Sequence, residues 1–169
     1  MINTTIDKKT STTTIESPAV SARVEDTSLA RKSTERKRVL VGFDLGTNAS
    51  CVLAGSADAK DVSVSKIIPT VVGYAREGLV DGIIANNATI LIGDEALAHR
   101  LQLKVIAPLE DGVIAHPAAA KDFIKRLRAI IDPSGLAEIR VVVGVPANAA
   151  DPAREDIRNC AAGVFDRVL

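Results

Sequence analysis

Two branched apolar runs, Val39-Leu40-Val41-Gly42-Phe43 and Ala49-Ser50-Cys51-Val52-Leu53-Ala54, flank the segment Asp44-Leu45-Gly46-Thr47-Asn48. Short runs of this kind read as buried strands. A glycine-containing segment between two strands reads as a hairpin turn. A chain that opens its ordered part in this way must build on a sheet. Its core must be aliphatic, because Trp is absent and only one Tyr and three Phe occur among 169 residues.

Residues 1–37 precede that hairpin as an arm rich in Ser and Thr, without the period of a strand or a helix. Such a segment is expected to be disordered, since it has too little apolar surface to offset its ordering entropy. It ends in Arg31, Lys32, Arg36, Lys37 and Arg38. This basic cluster is either a solvated linker or a weak contact for an anionic membrane surface or an acidic partner. The whole chain holds 21 basic and 21 acidic residues, and aromatics are 2%. Neither bulk charge nor base stacking therefore points to nucleic acid, and no specific nucleic-acid partner is expected. Cys51 and Cys160 stand far apart, with no disulfide framework or zinc pattern. No apolar run reaches the roughly 18 residues of a membrane helix, and no secretory signal is read at the N-terminus. A cytoplasmic location is expected.

Beyond the hairpin, Ile67–Tyr74 reads as one strand, with Pro69 suggesting an edge or irregular position. Val80–Ala85 and Thr89–Ile92 are short strand candidates, and Val113–Ala115 a brief one. Asp94, as N-cap, opens a helix to Leu101. Pro117 starts the best helix, with Phe123, Ile124, Leu127, Ile130 and Ile131 on one stripe. Ile139–Val145 is the clearest strand, and Pro146 ends it. Asp151 caps a last helix with Pro152 in its first turn and a stripe of Ile157, Ala161, Val164 and Val168. The order predicts an α/β fold with a mixed sheet.

The turn after the first strand is the candidate site. Its backbone N–H groups can converge on anionic oxygens. Gly46 permits close approach, Thr47 and Asn48 offer side-chain donors, and Asp44 can hold the water shell of Mg²⁺. These features suit the phosphates of a nucleotide, and a plain hairpin turn carries the same residues. Other groups offer less. His99 and His116 read as surface or capping positions. Cys51 reads as a small buried residue, and Cys160 as lying on the polar side or edge of the last helix. Asp94-Glu95 and Glu110-Asp111 read as a helix start and a solvated turn.

Four segments in order carry a resemblance. Val41–Asn48 resembles the first phosphate loop of the actin, sugar-kinase and heat-shock-chaperone ATPase superfamily. Ile68–Tyr74 is similar to the strand opening its small outer subdomain, Leu91–Ala96 to its Gly-Asp helix start, and Val142–Ala147 to its strand ending in Val-Pro. Pro108-Leu109-Glu110-Asp111-Gly112-Val113-Ile114 is similar to a segment of bacterial actins of the MreB and MamK type. In the chaperones a catalytic lysine occupies the place of Leu97, which favours the actins.

The resemblance implies an incomplete ribonuclease-H-like mixed sheet of the actin-like ATPase fold. Subdomain IA would be residues 38–65 and 108–169, with a small subdomain IB inserted at 66–107. It implies ATP and Mg²⁺ as cofactors, with Asp44, Leu45, Gly46, Thr47 and Asn48 at the phosphates and Asp44 serving the metal. It also implies cytoskeletal self-assembly into filaments in the complete protein, and a Pro146 that lies near the nucleotide. The second phosphate loop, Asp-x-Gly-Gly-Gly-Thr, occurs nowhere in the sequence. Half a site is expected to hydrolyse negligibly, because phosphoryl transfer needs charge stabilisation from both sides. The alternatives are a non-catalytic interaction module that regulates a full-length relative, and a fragment of a chaperone-type nucleotide domain. Marginal solubility is expected, from an apolar helix face and a sheet edge left open.

Overall fold

The computed structural model describes residues 36–79, 81–145 and 149–169. The expectations for the arm up to Glu35 and for Pro146 lie outside these residues. Ten strands and three α-helices are formed among the described residues. The expected hairpin is β1 (Arg38–Asp44) paired antiparallel with β2 (Ala49–Ser56), Phe43 opposite Val52. β2 continues antiparallel to β3 (Val62–Pro69). On the other side β1 runs parallel to β9 (Glu138–Gly144), which runs parallel to β10 (Arg167–Val168). The five-stranded order is β10-β9-β1-β2-β3, a mixed sheet as expected.

The chain does not extend from Ile67 to Tyr74 as one strand. It leaves β3 at Pro69, where the Val71 N–H donates to the Pro69 carbonyl at 2.9 Å, and enters β4 (Val72–Ala75) of a second sheet. There β4 lies between β5 (Ile90–Ile92) and β6 (Leu103–Ile106), the latter unforeseen. Thr70, at the break, is fully buried and shares a 2.8 Å hydrogen bond with Ser50. Residues 81–85 are not a strand. They turn into a 3₁₀ segment in which Asn86 and Asn87 take positive φ, a conformation asparagine tolerates and strands exclude.

α1 (Gly93–Ala98) follows β5 without a side-chain cap, and Asp94 and Glu95 lie inside its first turn. A two-stranded hairpin, β7 (Leu109–Glu110) and β8 (Val113–Ile114), leads into α2 (Pro117–Ile131). α2 buries Phe123, Ile124, Leu127 and Ile131, close to the expected stripe. α3 (Asp151–Ala161) is likewise not capped by Asp151. It ends far short of Val168. Gly163 takes φ +74 just after it, and the chain turns back to add β10 to the sheet. Cys160 is buried on α3, not on its polar side, because the helix packs that edge against Pro117.

Both long helices cover one face of the five-stranded sheet. The core joins Val39, Val41 and Phe43 of β1, Ile139 and Val141 of β9, and the buried residues of α2 and α3. Leu40, Leu53, Ile67 and Val142 stand exposed on the sheet's other face. The apolar stripe of the last helix, expected to be open, is covered at Ile157 and Ala161. The chain enters the sheet through Arg36, whose guanidinium donates to the carbonyls of Leu136 and Ala137 at 3.0 Å each and lies 3.4 Å from Asp166.

Candidate functional site

β1 and β9 are parallel neighbours and end level, Asp44 opposite Gly144. The C-terminal ends of adjacent parallel strands are where open α/β sheets place ligands. Asp44 is exposed there, at the mouth of the loop. Gly144 leaves it room. A Cβ at residue 144 would stand 3.3 Å from Asp44 Oδ1, tight enough to push the carboxylate aside.

The loop turns within four residues because of Gly46. A Cβ there would collide with the Ala49 carbonyl oxygen. Leu45 points its side chain into the core at 4% exposure, so it offers the site backbone only. Thr47 Oγ1 accepts the Gly112 N–H at 2.9 Å. Its own O–H remains available to donate to an anion. Asn48 is exposed, and its carbonyl accepts the Thr70 N–H at 2.9 Å, which fixes the far side of the loop to the start of the second sheet.

The Thr47 contact brings a second segment to the loop. Asp111 and Gly112 turn the β7–β8 hairpin, both at positive φ (49° and 79°), the signature of a type I′ turn. Glu110 and Asp111, read in sequence as a solvated turn, are exposed, and the same turn meets the loop through Gly112. An Asp-Gly pair between apolar residues signals the hairpin, but nothing in the sequence links it to Thr47, 65 residues away.

The remaining candidates fall elsewhere. His99 and His116 occupy the C-cap of α1 and the N-cap of α2. Cys51 is only half-buried and sits beside Asp44 across the β1–β2 ladder. It is not enclosed, because that face of the sheet carries no helix. Among the described residues no three His, Cys, Asp or Glu side chains converge. A cation beside Asp44 would draw its other oxygens from water and from the phosphates it accompanies, the manner of Mg²⁺ rather than of a caged structural metal.

No protein-family model matches the chain. The actin-like protein MamK of Paramagnetospirillum magneticum is 28% identical over 120 residues, 68% of this chain and 32% of that protein. MamK of Magnetospirillum gryphiswaldense is also 28% identical over 120 residues, 31% of its length. Among solved structures, the MamK double helical filament superposes with a TM-score of 0.64 at 28% identity, covering 78% of this chain and 40% of that one. The chain has part of the actin-like fold and is similar to MamK over that part. A non-polymerising MamK mutant bound to AMPPNP gives the same TM-score of 0.64, over 79% of this chain. MreB5 of Spiroplasma citri bound to ADP has a TM-score of 0.54 at 24% identity, a likeness of fold alone. The chain spans about a third of the length of the MamK proteins it matches.

Proposed function

We propose that this chain is the first phosphate-holding part of a filament-forming actin-like protein that binds ATP with Mg²⁺ when complete. The observation that carries the reading is Asp44, exposed at the common end of β1 and β9, with Gly144 leaving space for its carboxylate. Asp44 would hold the water shell of Mg²⁺. The backbone of Leu45 and Gly46, the Thr47 hydroxyl and the Asn48 amide would receive the phosphates. Mg²⁺ supplies charge neutralisation at the phosphate oxygens when bound. The similar MamK mutant bound to AMPPNP supports the nucleotide class.

With one cradle and no Asp-x-Gly-Gly-Gly-Thr loop, this chain positions phosphates from one side only. Turnover by the chain alone is negligible on that ground. Residues 38–65 with 108–169 would form subdomain IA and 66–107 subdomain IB, the latter contributing to end-to-end contact. Such a contact does not close on itself, so filaments follow. Filament assembly would take place in the cytoplasm, and the basic cluster would make weak contact with an anionic membrane surface or an acidic partner. The same missing loop favours the second reading, an interaction module that acts on a full-length relative without nucleotide turnover.

Titration with a fluorescent ATP analogue tests the site. Weak binding that needs Mg²⁺ and falls at least tenfold in Asp44→Ala is expected, with no phosphate release above background. Equal binding by Asp44→Ala, or brisk hydrolysis by the wild type, would sink the assignment. Binding of nucleotide by neither protein, joined to a change in length of MamK filaments when the chain is added, would favour the second reading.

A further inference from the structure

The five-stranded sheet ends at β3, which no further strand joins among the described residues. The phase of its ladder with β2 shows what that edge offers. One pair beyond Ala49 and Pro69, the Thr70 N–H donates to the Asn48 carbonyl at 2.9 Å. Bonded and unbonded pairs alternate in an antiparallel ladder. Ser50 with Ile68 and Val52 with Lys66 therefore exchange hydrogen bonds, whereas Cys51 with Ile67 and Leu53 with Ser65 do not. Pro69 fits this phase, since it falls on an unbonded pair and has no N–H to give. The N–H and C=O groups of Ser65 and Ile67 consequently point away from the sheet, and no described backbone group pairs with them. The Ile67 side chain is 74% exposed.

Beside this edge a cavity of about 420 Å³ opens between β3, β5, α1 and α2. Ile68, Ile90 and Ile130 give it an apolar lining. Lys66 stands at it from β3, Arg126 from α2, and Asp94 and Glu95 from α1. Among the described residues none of these four charged side chains has an ion-pair or hydrogen-bond partner. Lys66 shares a face with its ladder partner Val52, which is buried in the core, so it flanks the edge on the side that α2 covers. The start of α1 closes the far end of the edge, where a Cβ on Gly93 would collide with Ile68.

Sheet edges are guarded against self-pairing by lysines and bulges. β3 has both, in Lys66 and in the register shift opposite Ala54 and Gly55. A second copy would bring its own Lys66 to the same edge. A strand bearing a carboxylate would instead neutralise Lys66 and Arg126, and this complementarity selects the occupant. We propose that residues 64–67 of β3 take up an extended peptide of a partner protein, apolar and acidic, as an added edge strand. The peptide runs antiparallel to β3 and exchanges hydrogen bonds with Ser65 and Ile67. It sends one apolar side chain into the cavity over Ile68 and Ile130. Two residues later, on the same face, a carboxylate meets Lys66 and Arg126. Asp94 and Glu95 repel the reverse order, which would set the carboxylate beside α1.

The test uses the whole 169-residue chain and a fluorescein-labelled peptide of about eight residues. In it a leucine precedes a glutamate by two positions, among threonines and valines. One control exchanges the two residues, and another replaces the glutamate with lysine. Saturable binding by fluorescence anisotropy is expected, weaker by roughly threefold or more for each control. Ser65→Pro removes only an outward N–H, which edge strands tolerate. It should weaken binding by about tenfold or more, the worth of one hydrogen bond, while Ser65→Ala leaves it unchanged. Lys66→Glu should reverse the preference between the glutamate and lysine peptides. Should Ser65→Pro unfold, Ala129→Trp fills the cavity from an exposed position on α2 and should block the peptide instead. Three results would overturn the proposal. These are no saturable binding, binding indifferent to Ser65→Pro and Ala129→Trp, and a dimer by light scattering that Ser65→Pro dissolves and the peptide does not displace. The last would assign the edge to a second copy.

Discussion

Neighbouring residues of β1 live in opposite surroundings. Val41 is 3% exposed and Leu40, beside it, is 50% exposed. Chemically the two are nearly interchangeable; only the pleat separates them. One face of the sheet is closed by α2 and α3 around Phe123, Ile139 and Val141, and the other is bare aliphatic surface. The difference teaches that apolar sequence establishes that a strand wants two covers, whereas stability of the chain as it stands rests on one. Substitutions on the two faces should therefore differ sharply.

The largest effect is expected from Ile139→Ala. Ile139 is fully buried in β9, and its truncation should cost about 2–5 kcal/mol in denaturant unfolding. A loss no larger than that from an open-face residue would erase the distinction between the faces.

Asp132, just beyond α2, accepts the Ala137 N–H at 2.8 Å and a hydrogen bond from the Ser134 hydroxyl. These bonds, the Ser134 hydroxyl foremost, hold its pKa below the ordinary 3.8. The folded state thus favours the carboxylate. Its contribution is full above the unfolded pKa and disappears as pH falls through the folded one. Asp132→Asn should destabilise by about 1–3 kcal/mol at neutral pH. It should also flatten the loss of stability below pH 4. An acid-limb slope equal to wild type would remove Asp132 from the covered side's supports.

Tyr74 ties the second sheet to α2 by donating its hydroxyl to Asp122 at 3.0 Å. Burial first, then the Asp122 bond and charge, push its pKa up to about 12 from 10.0. Its protonated form is favoured in the folded chain, so its contribution is full below pH 10 and is lost as pH rises toward 12. Tyr74→Phe should cost about 1 kcal/mol at neutral pH and weaken that alkaline decline. Retention of the full decline in the variant would show that another group drives it. The smallest change is expected from Leu53→Ala on the open face, within about 0.5 kcal/mol. A larger loss would mean that this face is already covered in solution.

Much of the molecule was legible beforehand. The β1–β2 hairpin, α2 and β9 stand where long periodic or branched runs placed them, and the actin-like resemblance agrees with MamK. The failures have physical causes. Val71-Val72-Gly73-Tyr74 continues the branched pattern of Ile67-Ile68, so the sequence reads one strand, with Pro69 marking only an edge or irregular position. The break is made by backbone closure at Pro69 and by the buried Ser50–Thr70 pair, both tertiary. The last helix was carried through to Val168 because apolar spacing persisted, although Gly163 was an available stop signal. Cys160 was misplaced because only the packing of α3 near Pro117 shows which side of that helix is inward. At the site, Asp44 ends β1, where the sequence reading placed it. The dependence of its carboxylate on Gly144, 100 residues away in sequence, needed the β1–β9 register.

The Arg36 clamp has a mechanical consequence. Its guanidinium grips two carbonyls just before β9 and hands the chain directly to β1, the central strand, laddered to β2 on one side and to β9 on the other. A pull on the chain ahead of Arg36 is therefore delivered along the axis of β1. It must shear two ladders at once instead of peeling one edge strand bond by bond. If the N-terminal arm serves as a tether, it is fastened at the point of the sheet best able to carry load, at the end farthest from the Asp44–Asn48 loop.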